Sequence, residues 1–358
     1  MTLVRRRTLL GGLLAAGSAA TAACTERGSE GPTSSPTTDV DSATEGSDPV
    51  TDAEPETPGQ LTGEGLALLP DSGVLAATMT EGKVGLWSLD SGTIEQTWSV
   101  PGAGALAVTP DGKRLAVATS KGSIEIVDVS TITATPSITS LTPPEDDPSP
   151  IVDLAFSPDG SLLASASSAN DVLMWDVSSR TADTLVVGGS QRKALAFSTD
   201  GTQLAVAGLI GPVQIVDVAK GAVTSALSES PAQGYALAFS PDGTWLATTS
   251  RTSPKPGKVL LFAVDEFALE ETHPDQLEPL AMAFSPDSET LALTDSASRA
   301  VVLWSSADGR SRRLSGHSTK PRAVLWSEDG SLVYSASESD GIIEWDASTG
   351  KEKRRLTP

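Results

Sequence analysis

Side chains suited to chemistry are scarce in this sequence of 358 residues: two histidines, His273 and His317, and one cysteine, Cys24. Neither histidine lies near a Cys, Asp or Glu at metal-ligand spacing, so zinc and iron sites are not expected. No GxSxG elbow, Walker loop or HExxH stretch occurs, and the chemistries those motifs carry are left without a nucleophile, a phosphate cradle or a metal-bound water. The densest run of carboxylates, Glu145, Asp146 and Asp147 in TPPEDDPSP, lacks the alternating ligands of a calcium loop and reads as a solvated, Pro-rich connection. The expectation is a chain with no catalytic residues, no metal and no cofactor. His317 is expected to be a structural residue within a blade rather than a general base.

Cys24 suits a different chemistry. Residues 1–24 begin with Arg5, Arg6 and Arg7, continue through an apolar stretch from Leu9 to about Ala20, and end in small residues before the cysteine. This is the pattern of a cleaved export signal, and the apolar stretch is shorter than the ~20 residues a permanent span needs. The tetrapeptide Thr21, Ala22, Ala23, Cys24 resembles the lipobox of bacterial lipoproteins, with Thr21 in place of the usual Leu. The resemblance implies that Cys24 becomes a lipidated N-terminus. Arg6, Arg7, Leu9 and Leu10 also resemble the twin-arginine export motif, so export by either the Sec or the twin-arginine route is open. The expected location is the cell membrane, with the protein lipid-anchored on its extracytoplasmic face.

Residues 24–60 are built from Thr, Ser, Pro, Gly, Asp and Glu, with nine acidic residues against Arg27 alone. They cannot bury enough surface to offset the entropy of ordering, and read as a disordered acidic tether. Over the whole chain 46 acidic residues face 25 basic ones, and removing Arg5, Arg6 and Arg7 leaves 22, a balance of −24. Such a chain repels phosphate backbones and anionic headgroups, so nucleic acid is not an expected partner. With a single cysteine no disulfide forms within the chain, and the fold must be held by packing.

The elements that position everything else are repeats. From residue 61 onward, turns of the SPDG type align on Asp71, Asp111, Asp159, Asp200, Asp242, Asp287 and Asp329, at spacings of 40, 48, 41, 42, 45 and 42. That is the period of a β-propeller blade. LAFS (154–157, 195–198 and 237–240) alternates bulky and small side chains, as an innermost strand must where blades narrow toward an axis. In the turn, Pro presets φ, Asp caps with its side chain and Gly takes the left-handed position. Ser72 and Ser288 follow the Asp where the others have Gly, so blades one and six are expected to have the looser hairpins. Seven copies of a third strand (VGLWSL, IEIVDV, VLMWDV, VQIVDV, VLLFAV, VVLWSS, IIEWDA) set the blade number. The expected architecture is all-β: residues 1–23 a signal peptide, 24–60 a tether, and 61–358 a seven-bladed propeller of four-stranded antiparallel blades. The last repeat is expected to contain all four of its strands, while a closing contribution from residues 60–62 stays open.

These repeats resemble the WD-repeat family. Trp175 with Asp176 and Trp345 with Asp346 match its signature dipeptide, and Gly316 with His317 matches the Gly-His that opens a repeat. The other blades depart: Val127-Asp128 and Val216-Asp217 keep only the Asp, Trp87-Ser88 and Trp304-Ser305 only the Trp, and Phe262-Ala263 neither. The resemblance implies a buried His, Ser, Asp and Trp hydrogen-bond network in the last blade alone, through His317, Asp340 and Trp345. LDSGTIEQTW (89–98) and WDASTGKEKRR (345–355) are also similar to the tryptophan-docking motif of pyrroloquinoline quinone propellers, although Asp, Ser or Thr, and Gly are common turn residues in WD repeats.

For partners, RTSPKPGK (251–258) places Arg251, Lys255 and Lys258 in a basic hairpin loop on an acidic protein, either a binding feature or a loop kept soluble by charge. Trp98 and Trp245 are either contact anchors or core residues. The reading is a monomeric, non-enzymatic, lipid-anchored platform for protein partners that the sequence does not name. The alternatives are an extracytoplasmic small-ligand binder or enzyme acting at the channel mouth, and an envelope-assembly lipoprotein resembling the quinone-type propellers.

Overall fold

A computed structural model of the chain describes residues 60–131, 136–143, 149–168, 172–185, 187, 190–230, 234–251, 257–275 and 277–356. Of residues 63, 64 and 190–193 it describes the backbone. Cys24, Arg6, Arg7, Leu9, Leu10, Lys255 and the Glu145–Asp147 run lie outside the described residues.

The described residues form seven antiparallel sheets of four strands, each built from strands consecutive in the chain: 61–99, 106–141, 151–185, 190–227, 237–272, 282–315 and 321–356. The first strand of each sheet is innermost and the fourth lies at the outer edge. Alternation along the strands sends side chains to opposite faces, and each face packs on a neighbouring blade. In the second strand of blade one (Val74–Met79), Val74 and Ala76 face blade two, whereas Leu75 and Ala77 face blade seven. Seven buried apolar clusters result, one at each junction around the ring.

Ring closure uses no exchanged strand. Leu61–Leu69 pairs with Val74–Met79 in blade one, and Glu352–Leu356 is the outer strand of blade seven. The closing junction is packed like the other six, with Leu61, Leu75, Met79 and Trp87 against Tyr334, Ala336, Ile342 and Leu356. Polar contacts reinforce it. Arg354, oriented by the buried Glu344 (Nε to Oε2 2.9 Å), donates to the carbonyls of Leu89 and Asp90 in blade one, and Glu328 accepts the Asp71 N–H at 2.7 Å. At the preceding junction Arg312 makes the same reach to the carbonyls of Ala347 and Ser348.

The hairpins between first and second strands share a device read only in part from the sequence. In blade three, Ser157 Oγ donates to Asp159 Oδ1 at 2.6 Å and accepts the Leu162 N–H at 2.9 Å, while Gly160 takes φ +70°. Blade six keeps the same bonds, Ser285 to Asp287 (2.5 Å) and Thr290 N–H to Ser285 (2.9 Å), with Ser288 at φ +63°. Its hairpin is therefore strained but not loose, and Ser288 Oγ accepts the Asp242 N–H of blade five at 3.0 Å. Blade one does depart. Leu69 replaces the serine, Asp71 itself adopts φ +56°, and Ser72 Oγ takes over by bonding Leu69 O at 2.7 Å and the Val74 N–H at 3.1 Å.

Candidate functional site

The most developed polar site lies in blade seven. The second strand (Leu332–Ser337) presents Ser335 and Ser337 two residues apart on one face, the third strand (Gly341–Asp346) presents Trp345, and Asp340 sits in the turn between them. His317 comes from the loop preceding the blade and is buried. Trp345 Nε1 donates to Ser335 Oγ at 2.8 Å, and Ser335 Oγ lies 2.7 Å from His317 Nε2. His317 Nδ1 lies 3.1 Å from Ser337 Oγ and 3.3 Å from Asp340 Oδ2. The ends of this chain decide its proton order. An indole can only donate and an ionised carboxylate can only accept, so Ser335 donates to Nε2 and Nδ1–H points to Ser337 and Asp340.

Electrostatics agree with that order. Burial pushes His317 below the ordinary imidazole range, against the pull of Asp340, and keeps it neutral. Burial pushes the Asp340 carboxyl up, but hydrogen bonds from Ser318, Ser337 and the N–H groups of Thr319 and Ser318 outweigh it and hold the group well below the usual carboxylate range. Arg355 adds contacts to Asp340 Oδ1 at 3.4 Å and to Gly316 O at 2.9 Å. Every donor is thus committed, so the network fixes the loop over the blade and leaves no group poised for proton transfer. Ser335, Ser337, Ser318 and Arg355 were not singled out from sequence; the S-x-S pair two residues apart, facing a Trp strand, is the signal that points to the first two.

The other blades show the same position emptied by degrees. In blade three Ser165 accepts Trp175 Nε1–H at 2.8 Å. In blades one and six the equivalent second-strand residues are Ala77 and Leu293, and the buried indole nitrogens of Trp87 and Trp304 have no partner. Blades two and four replace the pair with Val117 and Val127, and with Val206 and Val216. His273, buried by blade six, packs edge-on against Trp304 with ring centres 5.0 Å apart, accepts the Asp275 N–H at Nδ1 (3.0 Å) and places Nε2 2.9 Å from Ser311 Oγ.

Of the expected partner contacts, Arg251 and Lys258 flank one hairpin of blade five, whereas Trp98 lies in blade one. Trp98, on the outer strand Ile94–Ser99 of blade one, is not an exposed anchor: it packs on the cluster between blades one and two with Nε1 buried. The cause is register, since Trp98 pairs with Val84 and shares its inward face. Trp245 packs on the cluster between blades five and six. Arg251 folds back, half-buried, onto Glu278 (3.4 Å), while Lys258 opens the third strand of blade five and is exposed.

Along the ring axis the seven inner strands leave a channel of about 270 Å³. One level is lined by Gly65, Ala105, Asp153, Ala194, Ala236, Ala281 and Ala323, the same inner-strand position from each blade in turn. It opens into a mouth of about 450 Å³ between the loops that join blades, where Gly102, Gly104, Thr119, Ser120, Pro150 and Arg322 stand. Among the described residues no three His, Cys, Asp or Glu side chains converge as a metal site, and no helix is long and apolar enough to cross a membrane.

Comparison with protein families matches the WD domain, G-beta repeat, at residues 136–176, 233–253 and 309–346. These segments take in the outer strand of the second blade with the first three strands of the third, the first two strands of the fifth, and the outer strand of the sixth with the first three strands of the seventh. Among curated proteins no relative matches the chain. The Trp–Ser pair of blade three and the full His–Ser–Asp–Trp network of blade seven fall inside the matched segments, on a ring of seven four-stranded blades, which is consistent with a WD-repeat β-propeller family.

Proposed function

We propose that this protein is a non-enzymatic, lipid-anchored platform that docks protein partners on the extracytoplasmic face of a cell membrane. WD-repeat propellers commonly serve as protein-interaction scaffolds, and the histidines here are engaged in buried structural bonds. The observation that carries the reading is the two-faced ring. On one face every blade contributes an aspartate from each of its two hairpins, as Asp159 and Asp176 do in blade three. Asp111, Asp128, Asp159, Asp176 and Asp200 are held below the ordinary carboxylate range, chiefly by serine and threonine hydroxyls and backbone N–H groups of their turns, and stay ionised. The opposite face, where the described residues begin at Gln60, exposes Lys121, Lys258, Arg299, Lys320 and Arg322 beside Glu81, Glu229, Asp275 and Glu338. A rigid ring with unlike faces, one carrying a regular circle of ionised aspartates and the other a mixture of charges, offers a partner two distinct surfaces. Anchoring rests on Cys24 and the export pattern before it.

Two experiments test this. Photocrosslinkers placed at Lys258 and at Asp242, on opposite faces, should capture a defined partner from one face only, in membranes of cells expressing the full chain. Capture of the same proteins from both faces, or of none, counts against the platform. For the anchor, Cys24→Ser should release the protein from membranes, and unchanged membrane association would refute lipidation.

A further inference from the structure

The channel level described above has six small residues and one carboxylate. Gly65, Ala105, Ala194, Ala236, Ala281 and Ala323 keep the space open, and Asp153 of blade three faces into it. The carboxylate is held in place from two sides: Leu154 N–H donates to Oδ1 at 2.9 Å, and Leu195 N–H, from blade four, donates to Oδ2 at 2.7 Å. A carboxylate offers about four acceptor sites, so each oxygen keeps capacity that the two backbone bonds do not use. Among the described residues no lysine, arginine or histidine nitrogen lies within 4.0 Å of it. Burial within the ring accordingly pushes its pKa up to about 7.

The surroundings suit one class of ligand. The inner strands are the free edges of their sheets, so unpaired backbone carbonyls as well as the carboxylate can meet a donor on the axis. Leu66, Leu106, Val152, Leu195, Leu237 and Leu280 also line the channel, whose exposed surface is mainly polar. The volume of about 270 Å³ is at the lower limit of small-molecule sites. Arg322 lines the same channel where it meets the mouth.

We infer that the axial channel is a binding site for a small primary ammonium ion carrying a short alkyl tail, with Asp153 as the group that recognises the ammonium. Three N–H donors meet the free acceptor sites of Asp153 and the strand-edge carbonyls, the short tail lies along the channel, and the buried charge is compensated. The inference stands independently of membrane anchoring and of the platform reading.

The test uses n-butylamine as probe, with n-butanol as its neutral counterpart and butyrate as its anionic one, titrated into the whole folded protein by calorimetry and saturation-transfer NMR. At about pH 8 the amine is protonated and the carboxylate ionised. Butylamine is expected to bind with an affinity of about 1 mM or tighter, at one site, and at least tenfold more tightly than either counterpart. Asp153→Asn should weaken it at least tenfold, while Asp242→Asn on the outer face leaves it unchanged. Equal binding of butanol, unchanged binding to Asp153→Asn, or no binding of butylamine at about 50 mM would each overturn the inference. Should Asp153→Asn not fold, the three-probe comparison on the unaltered protein still decides it.

Discussion

Removing one hydroxyl from blade seven, by Ser335→Ala, tests the account of what its polar network contributes. Ser335 Oγ is fully buried and serves two neighbours, accepting Trp345 Nε1–H at 2.8 Å and donating to His317 Nε2 at 2.7 Å. The substitution leaves both nitrogens buried and unpaired. Each such atom costs about 1–3 kcal/mol, so the variant should lose about 2–6 kcal/mol. With an unfolding entropy of about 2 cal/mol/K per residue over roughly 300 residues, that is a fall in Tm of roughly 3–10 °C. The matching change in blade three supplies the internal scale. Ser165 serves one indole there, so Ser165→Ala should lose about 1–3 kcal/mol. Calorimetry, supported by urea titration followed through tryptophan fluorescence, measures both. A double-mutant cycle with His317→Asn should show that the two sites do not add, because they share one bond. The reasoning is refuted if Ser335→Ala shifts Tm by under about 1 °C, or if Ser165→Ala proves the more damaging of the two.

Four further expectations follow from the same geometry. Ala77→Ser in blade one should give the orphaned Trp87 Nε1 a partner and stabilise by about 1 kcal/mol, read as a higher Tm together with slower exchange of that indole proton. Arg354→Ala removes the contacts to Leu89 and Asp90 and leaves Glu344, with 3% of its side chain exposed, to Lys353 alone. Breaking a buried pair costs 3–5 kcal/mol, and partial exposure of Arg354 lowers the expectation to about 2–3 kcal/mol, with hydrogen exchange accelerating in strand Glu352–Leu356 more than in blade three. Ser288→Ala keeps the left-handed strain and loses the bond from Asp242 N–H, whereas Ser288→Gly loses the bond but relieves strain of about 1 kcal/mol, so denaturant midpoints should place Ala below Gly. The pH dependence has opposing parts: neutral, buried His273 and His317 have depressed pKa values, so their contribution is fully present above about 6.5 and lost as pH falls. Asp153, raised to about 7, contributes stability below about 3.8 that is lost as pH rises through 7, and stability of Asp153→Asn relative to the unaltered protein should climb between those values in urea midpoints taken at each pH.

Much of the fold was open to sequence reading because its determinants are local and repeated. The period of 40 to 48 residues, the seven third strands and the Ser-x-Asp turns each depend on neighbours along the chain, and seven weak copies together make a strong signal. The union of His317, Asp340 and Trp345 was legible for a related reason, since a known repeat carries those types in that order. What only tertiary structure decided depends on residues distant in sequence but adjacent in the ring. Trp98 faces the core because its strand register with Val84 turns it inward, and period-two reading of a variable outer strand does not reveal that register. Ring closure without strand exchange, and the reach of Arg354 to Leu89 across 265 positions, arise only when blade seven meets blade one. Ser288 keeps its strained turn because an N–H from the neighbouring blade lies against it. Asp153 reads in the sequence as one more polar strand residue; it becomes the sole carboxylate among seven equivalent channel positions only once the ring sets six small side chains beside it.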